Sequence, residues 1–507
     1  MQDDLTNRLA SAVVLVAGSM YGATAIAKTL YVEKFGQGTA CSKPEPCPTI
    51  GDALAVATKN SKILIGPGDY REALVIDIEG IKLESTGGQY VTSIRTDRDT
   101  LIGAPTITVM ANKVSIGRKN GKGLHIRSRN APAIVAGTGL DAPTECDIDE
   151  LGIFPVFDYS SGFDVEKLRV EGNIVRTELD SPYADNVPIK PIFSCSEAFE
   201  ITRTPGEYLP TLVAHGPDIK VVDNVIHGEG TILADLSPVY SKVLFQDNLL
   251  KYEADTVQVD GFPSGGVTTF ANSATIKGNA IYDWRDYPEN WGLSGDGIFA
   301  SGSSARISKN LVEGFSYGIA AELGSTIDKN VVRYVNWVGI GSFGGKKVAD
   351  NTVAFDGGVS ETFAGIVVDS MAKNSSVSGN TVTSLSGTGI AIHNAAPHGL
   401  YEGGQLKTFR KNNVYSTGYN LNRCGVRIDD AGTPFKMEKT FFGDNSDPLN
   451  LPEILDPFET TAATGIGDAI CVTSGMFDTA TGVIENVQYD PTNKPNKVKA
   501  FFTSNYY

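Results

Sequence analysis

A short phrase recurs along the second half of this chain, and its spacing restricts the possible folds more than any other feature. The phrases are Thr211-Leu-Val-Ala-His215, Thr231-Ile-Leu-Ala-Asp235, Thr256-Val-Gln-Val-Asp260, Gly297-Ile-Phe-Ala-Ser301, Gly318-Ile-Ala-Ala-Glu322, Gly339-Ile-Gly-Ser-Phe343, Gly365-Ile-Val-Val-Asp369, Gly389-Ile-Ala-Ile-His393 and Gly425-Val-Arg-Ile-Asp429. Most starts lie about 20 to 26 residues apart, the length expected of one turn of a solenoid. A second repeat, Asn-x-(Ile/Val/Leu), accompanies it at Asn173, Asn224, Asn248, Asn279, Asn310, Asn330, Asn351, Asn380 and Asn412. In a strand, positions two and four of the phrase face one way and positions three and five the other. Stacked as rungs, the phrases turn apolar side chains inward and align their fifth positions outside.

The rest of the composition agrees with this solenoid. With 55 Gly, 41% hydrophobic residues and hardly any long helical pattern, the chain reads as all-β, with short strands separated by turns. A length of 507 residues ordinarily implies several domains, but a solenoid core grows along an axis instead of outward. The recurring Asn is expected to be structural. It tolerates a left-handed bend, and its amide can bond the same Asn one rung away.

Near the start, Leu9 to Ala17 is apolar and Ala25-Ile-Ala27 resembles a cleavage site, which predicts a signal peptide over 1–27. Asp3 and Asp4 outweigh Arg8 in a region that is normally basic. The stretch is too short to span a bilayer, and no other segment is long and apolar enough, so membrane insertion is not expected. The expected location is secreted, periplasmic or cell surface. Six cysteines fit export: Cys41 and Cys47 are close enough to pair, while Cys146, Cys195, Cys424 and Cys471 leave the connectivity of two more bridges open. The remaining divisions are a cap over 28–60, the coil over 61–443, and a C-terminal cap and tail over 444–507.

Thr49-Ile-Gly-Asp-Ala-Leu-Ala-Val-Ala57 reads as a capped short helix, and Lys62-Ile-Leu-Ile-Gly-Pro-Gly-Asp-Tyr70 as a strand ended by a turn. With the Asn and Gly-Ile repeats behind it, this stretch resembles the opening of right-handed parallel β-helix proteins of the pectin-lyase-like superfamily. The similarity covers roughly residues 28 to 440. It implies a single-stranded right-handed parallel β-helix of three sheets per turn, an N-terminal capping helix, and a setting rich in enzymes acting on polysaccharides. The catalytic signatures of polygalacturonases, pectate lyases and alginate epimerases are missing, so the resemblance carries over no catalytic residue.

Spacing alone then points to a candidate site. Neighbouring rungs lie about 4.8 Å apart, so His215, Asp235 and Asp260 are expected as an unbroken run, joined by Glu322 as a further catalytic carboxylate. Crowded carboxylates raise one another's pKa and a protonated imidazole relieves them, which supplies an acid and a base for cleaving or modifying a sugar chain. Asp235, Asp260 and Glu322 could also hold Ca²⁺ through oxygen ligands; no other cofactor is implied. The long insertion after the Asp260 phrase carries Trp284, Arg285, Tyr287 and Trp291, where aromatic faces could stack on sugar rings. Phe343, Asp369 and His393 are further candidates for substrate contact, while Asp369 or Asp429 alone also reads as solvated surface.

A formal charge of −16 and a pI near 4.9 disfavour nucleic acid and anionic membrane as partners. The leading expectation is an exported polysaccharide hydrolase or lyase with a groove on the outer face of the coil. The alternative is a non-catalytic surface or adhesion protein that uses the same groove only to bind glycans.

Overall fold

The structure, a computed structural model, describes residues 27–97, 101, 104–129, 131–137, 145–149, 152–156, 164–178, 210–228, 231–234, 242–252, 266–283, 295–335, 337–354, 364–369, 371–372, 374–384, 388–393, 406–416, 425–430, 435–444, 470–472 and 498–502. Residues 1–26 of the proposed signal peptide and the insertion carrying Trp284 lie outside them. Each turn of chain passes through three parallel sheets, here called A, B and C. One turn runs through Asp296–Ala300 in C, Ala305–Ser308 in A and Leu311–Glu313 in B, then returns to C at Tyr317–Ala321. Sheet C holds thirteen strands, from Leu74–Ile76 to Ile470–Val472. The chain is a right-handed parallel β-helix.

Its interior follows from period-two alternation. On sheet A, Ile63, Leu83, Ile116, Val170, Val221 and Phe245 occupy one inward column on successive rungs, each 2% exposed or less. On sheet C, Ile298, Ile319, Ile340, Ile366 and Ile390 do the same at the second position of the phrase. Fully burying one such side chain contributes roughly 1.5–3 kcal/mol, and every turn repeats the gain.

The Asn repeat forms a buried ladder at the bend between sheets A and B. Nδ2 of Asn310 donates to Oδ1 of Asn330 at 3.0 Å and to the Ile276 carbonyl of the turn before at 3.0 Å. Oδ1 of Asn330 also accepts from the Asn310 backbone N–H at 3.0 Å, and the pattern repeats from Asn173 to Asn412. The ladder is as expected, but the left-handed bend is not at the Asn. It falls on the residue before, at Asp223, Asp247, Lys309, Lys329, Asp350 and Lys411.

The recurring glycine at position one has a separate cause. A Cβ on Gly297, Gly318, Gly339 or Gly389 would lie within 2.3 Å of a Cγ1 of Val312, Val332, Val353 or Val414, where sheet B turns into sheet C. Only a residue without a side chain lets the two sheets close this tightly.

At the chain's start, helix Ile50–Ala55 follows the first strand, Thr29–Val32, and buries Ile50, Ala53 and Leu54 in the core. Thr49 caps it through its Oγ1, which accepts from the Asp52 N–H at 3.0 Å. The expected Cys41–Cys47 disulfide is present; the other four cysteine side chains lie outside the described residues. Ile470–Val472 adds a rung to sheet C beyond residue 443, and Val498–Phe502 pairs antiparallel with Phe435–Asp444.

Candidate functional site

Strand register decides which residues line the outside of sheet C, and it differs from the expected column in two places. Leu212 stands opposite Thr231 and His215 opposite Ala234, so the Thr231 phrase is shifted by one residue. The following rung is Val267–Thr269, paired with Thr231–Leu233 on one side and Ile298–Ala300 on the other, and not the Thr256 phrase. The expected run of His215, Asp235 and Asp260 on consecutive rungs is therefore replaced. Asp235 and Asp260 themselves lie outside the described residues. A one-residue slip exchanges the inward and outward faces, but Ile232, Leu233 and Ala234 are apolar in succession, so alternation does not fix which face of this phrase turns inward. A usable signal was position-one glycine: Gly266 meets Ile281 and Gly297 as Gly297 meets Val312 and Gly318, and Gly230 stands directly before Thr231.

His215 does hold a fifth position, but not in the expected state. It is buried, at 4% exposure, and burial pushes its pKa down to about 4, so the imidazole is neutral near pH 7. It cannot offer the positive charge expected to relieve neighbouring carboxylates.

Further along, the column is continuous. Ser301, Glu322, Phe343, Asp369 and His393 occupy the fifth position on five consecutive rungs. Ser301 Oγ donates to Glu322 Oε2 at 2.5 Å, which orients that carboxylate across the rung gap. Phe343 pairs with Asp369, and Asp369 with His393. Glu322 and Asp369 are thus two rungs, about 9 to 10 Å, apart along the axis. Phe343 lies between them, its ring against Gly341, where a Cβ would come within 3.0 Å of Cε2. The shift between Ile392 and His393 on one strand and their partners on the next puts Asp430, not Asp429, across from His393.

Beside this polar row the outer face is apolar. Val338, Ala364, Val367 and Ala391 form a buried cluster separate from the interior, with Tyr317 packed against it. Phe270 and Phe299 meet edge to face at 6.0 Å between centroids, and Phe270 and Trp337 are 42% and 45% exposed. Trp284, Arg285, Tyr287 and Trp291 lie outside the described residues.

One acid was missed by the sequence reading. Asp296 sits directly before a position-one glycine, on the rung next to Tyr317, and burial pushes its pKa up to about 7. Tyr317 is raised too, by burial first and by the Asp296 charge second, and the Trp337 side chain hydrogen-bonds it. Asp296 is five residues from the fifth position, roughly 16 Å along the strand, so it belongs to the opposite edge of the groove from Glu322.

Of the residues expected to hold Ca²⁺, Asp235 and Asp260 lie outside the described residues and Glu322 lies within them. Among the described residues no group of three or more His, Cys, Asp or Glu is placed to hold a metal ion, and no helix is long and apolar enough to cross a membrane.

The fold defines the class, a right-handed parallel β-helix protein. No protein-family profile matches the chain, and no curated protein matches its sequence. Among solved structures it is similar to a pectin methylesterase in complex with a hexasaccharide, at 12% identity and a TM-score of 0.29, covering 78% of this chain and 92% of that one. It is also similar to the Dettilon tailspike protein, at 13% identity and a TM-score of 0.31, covering 83% of this chain and 63% of that one. A third is the PL6 family polysaccharide lyase Pedsa3628 from Pseudopedobacter saltans, at 10% identity and a TM-score of 0.24, covering 85% and 92%. Similarity at this level carries over no residue and no activity.

Proposed function

We propose that this protein is an exported carbohydrate-active enzyme that cleaves or modifies a polysaccharide laid along the outer groove of sheet C. The observation that carries the reading is the unbroken row Ser301, Glu322, Phe343, Asp369 and His393 on five rungs. It supplies two carboxylates, an imidazole and an aromatic platform in one line beside an apolar floor. Inverting glycosidases keep their carboxyls about 6.5–9.5 Å apart to admit a water, and two rungs approach that spacing. In this reading Glu322, oriented by Ser301, activates the water, and the Asp369–His393 pair delivers the proton to the departing sugar oxygen. Phe343 stacks on the ring between them. The Cys41–Cys47 disulfide supports an oxidising location.

The test is a polysaccharide panel assayed for new reducing ends and for ultraviolet absorbance of unsaturated products, with wild type, Glu322→Gln and Asp369→Asn. Reducing ends without unsaturation, lost in both variants, support hydrolysis at this row. Unsaturated products move the reading to a lyase. Glycan binding without either product favours the non-catalytic adhesion protein.

A further inference from the structure

The net negative charge of the chain is not spread evenly: sheet A carries a basic groove near its N-terminal end. One outward column of that sheet passes through Lys62, Lys82, Ser115, Arg169 and Lys220 on five consecutive rungs. The same column continues as far as Thr408, adding Arg306 and Lys347, without a single acidic residue. Between the long side chains of Lys82 and Arg169, the rung carrying Ser115 and Gly117 offers almost none. The depression left there has a cavity volume of about 620 Å³. Seven Lys or Arg side chains line it against three carboxylates.

Part of that charge is already committed. Glu84, 4% exposed at the floor, lies 2.8 Å from Lys62 and 3.5 Å from Lys122. Its burial opposes the anion, yet the Lys62 contact and the nearby Lys122 and Arg118 charges hold the carboxyl below the usual carboxylate range. Lys113 and Lys167 at the edge pair with Glu79 and Glu166. Lys82 and Lys220 have no carboxylate within ion-pair distance among the described residues.

We infer that this groove is a binding site for a linear polyanionic glycan running along the coil axis, separate from the row on sheet C. Cations recur on the first, second, fourth and fifth rungs, a row of roughly 19 Å, which suits a chain bearing an acidic group on successive sugars. Bound there, the glycan meets fixed charges and displaces little ordered protein, so the attraction is electrostatic and screened by salt. The lining argues against other polyanions. It contains no aromatic residue on which a base could stack, which single-stranded nucleic acid sites use, and no apolar side chain that would enter a lipid headgroup layer.

The experiment is affinity electrophoresis of the full chain in gels containing polygalacturonate, heparin, neutral dextran or oligo(dT). Its variants are Lys82→Gln with Lys220→Gln, and the charge-preserving Lys82→Arg with Lys220→Arg. The inference expects retardation by polygalacturonate or heparin and none by dextran. It further expects a loss of about tenfold in affinity for the Gln pair, retention in the Arg pair, and weakening as NaCl is raised. Comparing the two anionic gels separates carboxylated from sulfated glycans. Equal retardation of wild type and the Gln pair, no retardation by either glycan, or tighter binding of oligo(dT) would each overturn it. These readouts do not depend on turnover at sheet C, so the two readings can fail separately.

Discussion

Asp296 and Tyr317 stand side by side on adjacent rungs of sheet C: burial pushes the Asp296 carboxyl up to about 7, and its charge adds to the burial that raises the Tyr317 hydroxyl. Between the ordinary aspartate pKa and about 7, the folded protein therefore keeps a proton that the unfolded chain has lost. Stability contributed by that proton is present at low pH and is lost as pH rises through about 7. Replacing Asp296 by Asn should stabilise the fold at pH 8 by on the order of 3 kcal/mol and change little at pH 4. Denaturant unfolding of both proteins across this range measures the difference.

Histidine 215 has the opposite dependence. Its folded pKa of about 4 lies below the ordinary value, so the unfolded chain takes up a proton near pH 6.5 that the folded one refuses. The folded state should lose stability between about pH 6.5 and 4. His215→Asn should flatten that part of the stability curve, read as the slope of unfolding free energy against pH relative to wild type.

The ladder makes interior asparagines costly to remove. Asn310→Ala takes away the acceptor for both the backbone N–H and the Nδ2 of Asn279, and two donors of its own. A loss of about 2–4 kcal/mol is expected, because buried donors without acceptors cost more than the bonds contribute. Urea unfolding checks it.

Position-one glycine should be intolerant of even a methyl group. Gly339→Ala places a Cβ 2.3 Å from Val353 Cγ1 and 2.5 Å from the Gly365 carbonyl. A destabilisation of about 1–3 kcal/mol is expected, and Val353→Ala should recover only part of it because the carbonyl remains. A double-mutant cycle in denaturant separates the two contacts.

Much of this molecule was legible in its residues. Repeated Asn-x-(Ile/Val/Leu) required a ladder, and Gly-Ile at one turn's spacing required a coil with a tight corner. Alternating apolar positions then named most of the interior, and the row from Ser301 to His393 follows from phrases that each begin with glycine. The reading failed at Thr231 and Thr256, where the same alternation occurs without glycine in first place. There, Ile232, Leu233 and Ala234 are apolar in succession and leave the inward face open, and the rung after Thr231–Ala234 is Val267–Thr269, not the Thr256 phrase; Asp235 and Asp260 lie outside the described residues. Asp296 was passed over for a different reason. Its raised pKa depends on what covers it, and no spacing along the chain records burial.

The local sequence thus determined the architecture, because each turn carries its own inward side chains, its Asn and its glycine, and these act between neighbouring turns. Which charged residues meet was decided only by the folded coil. Register couples residues twenty or more positions apart through backbone hydrogen bonds that are alike at every step, and side-chain burial depends on all the chain packed around it.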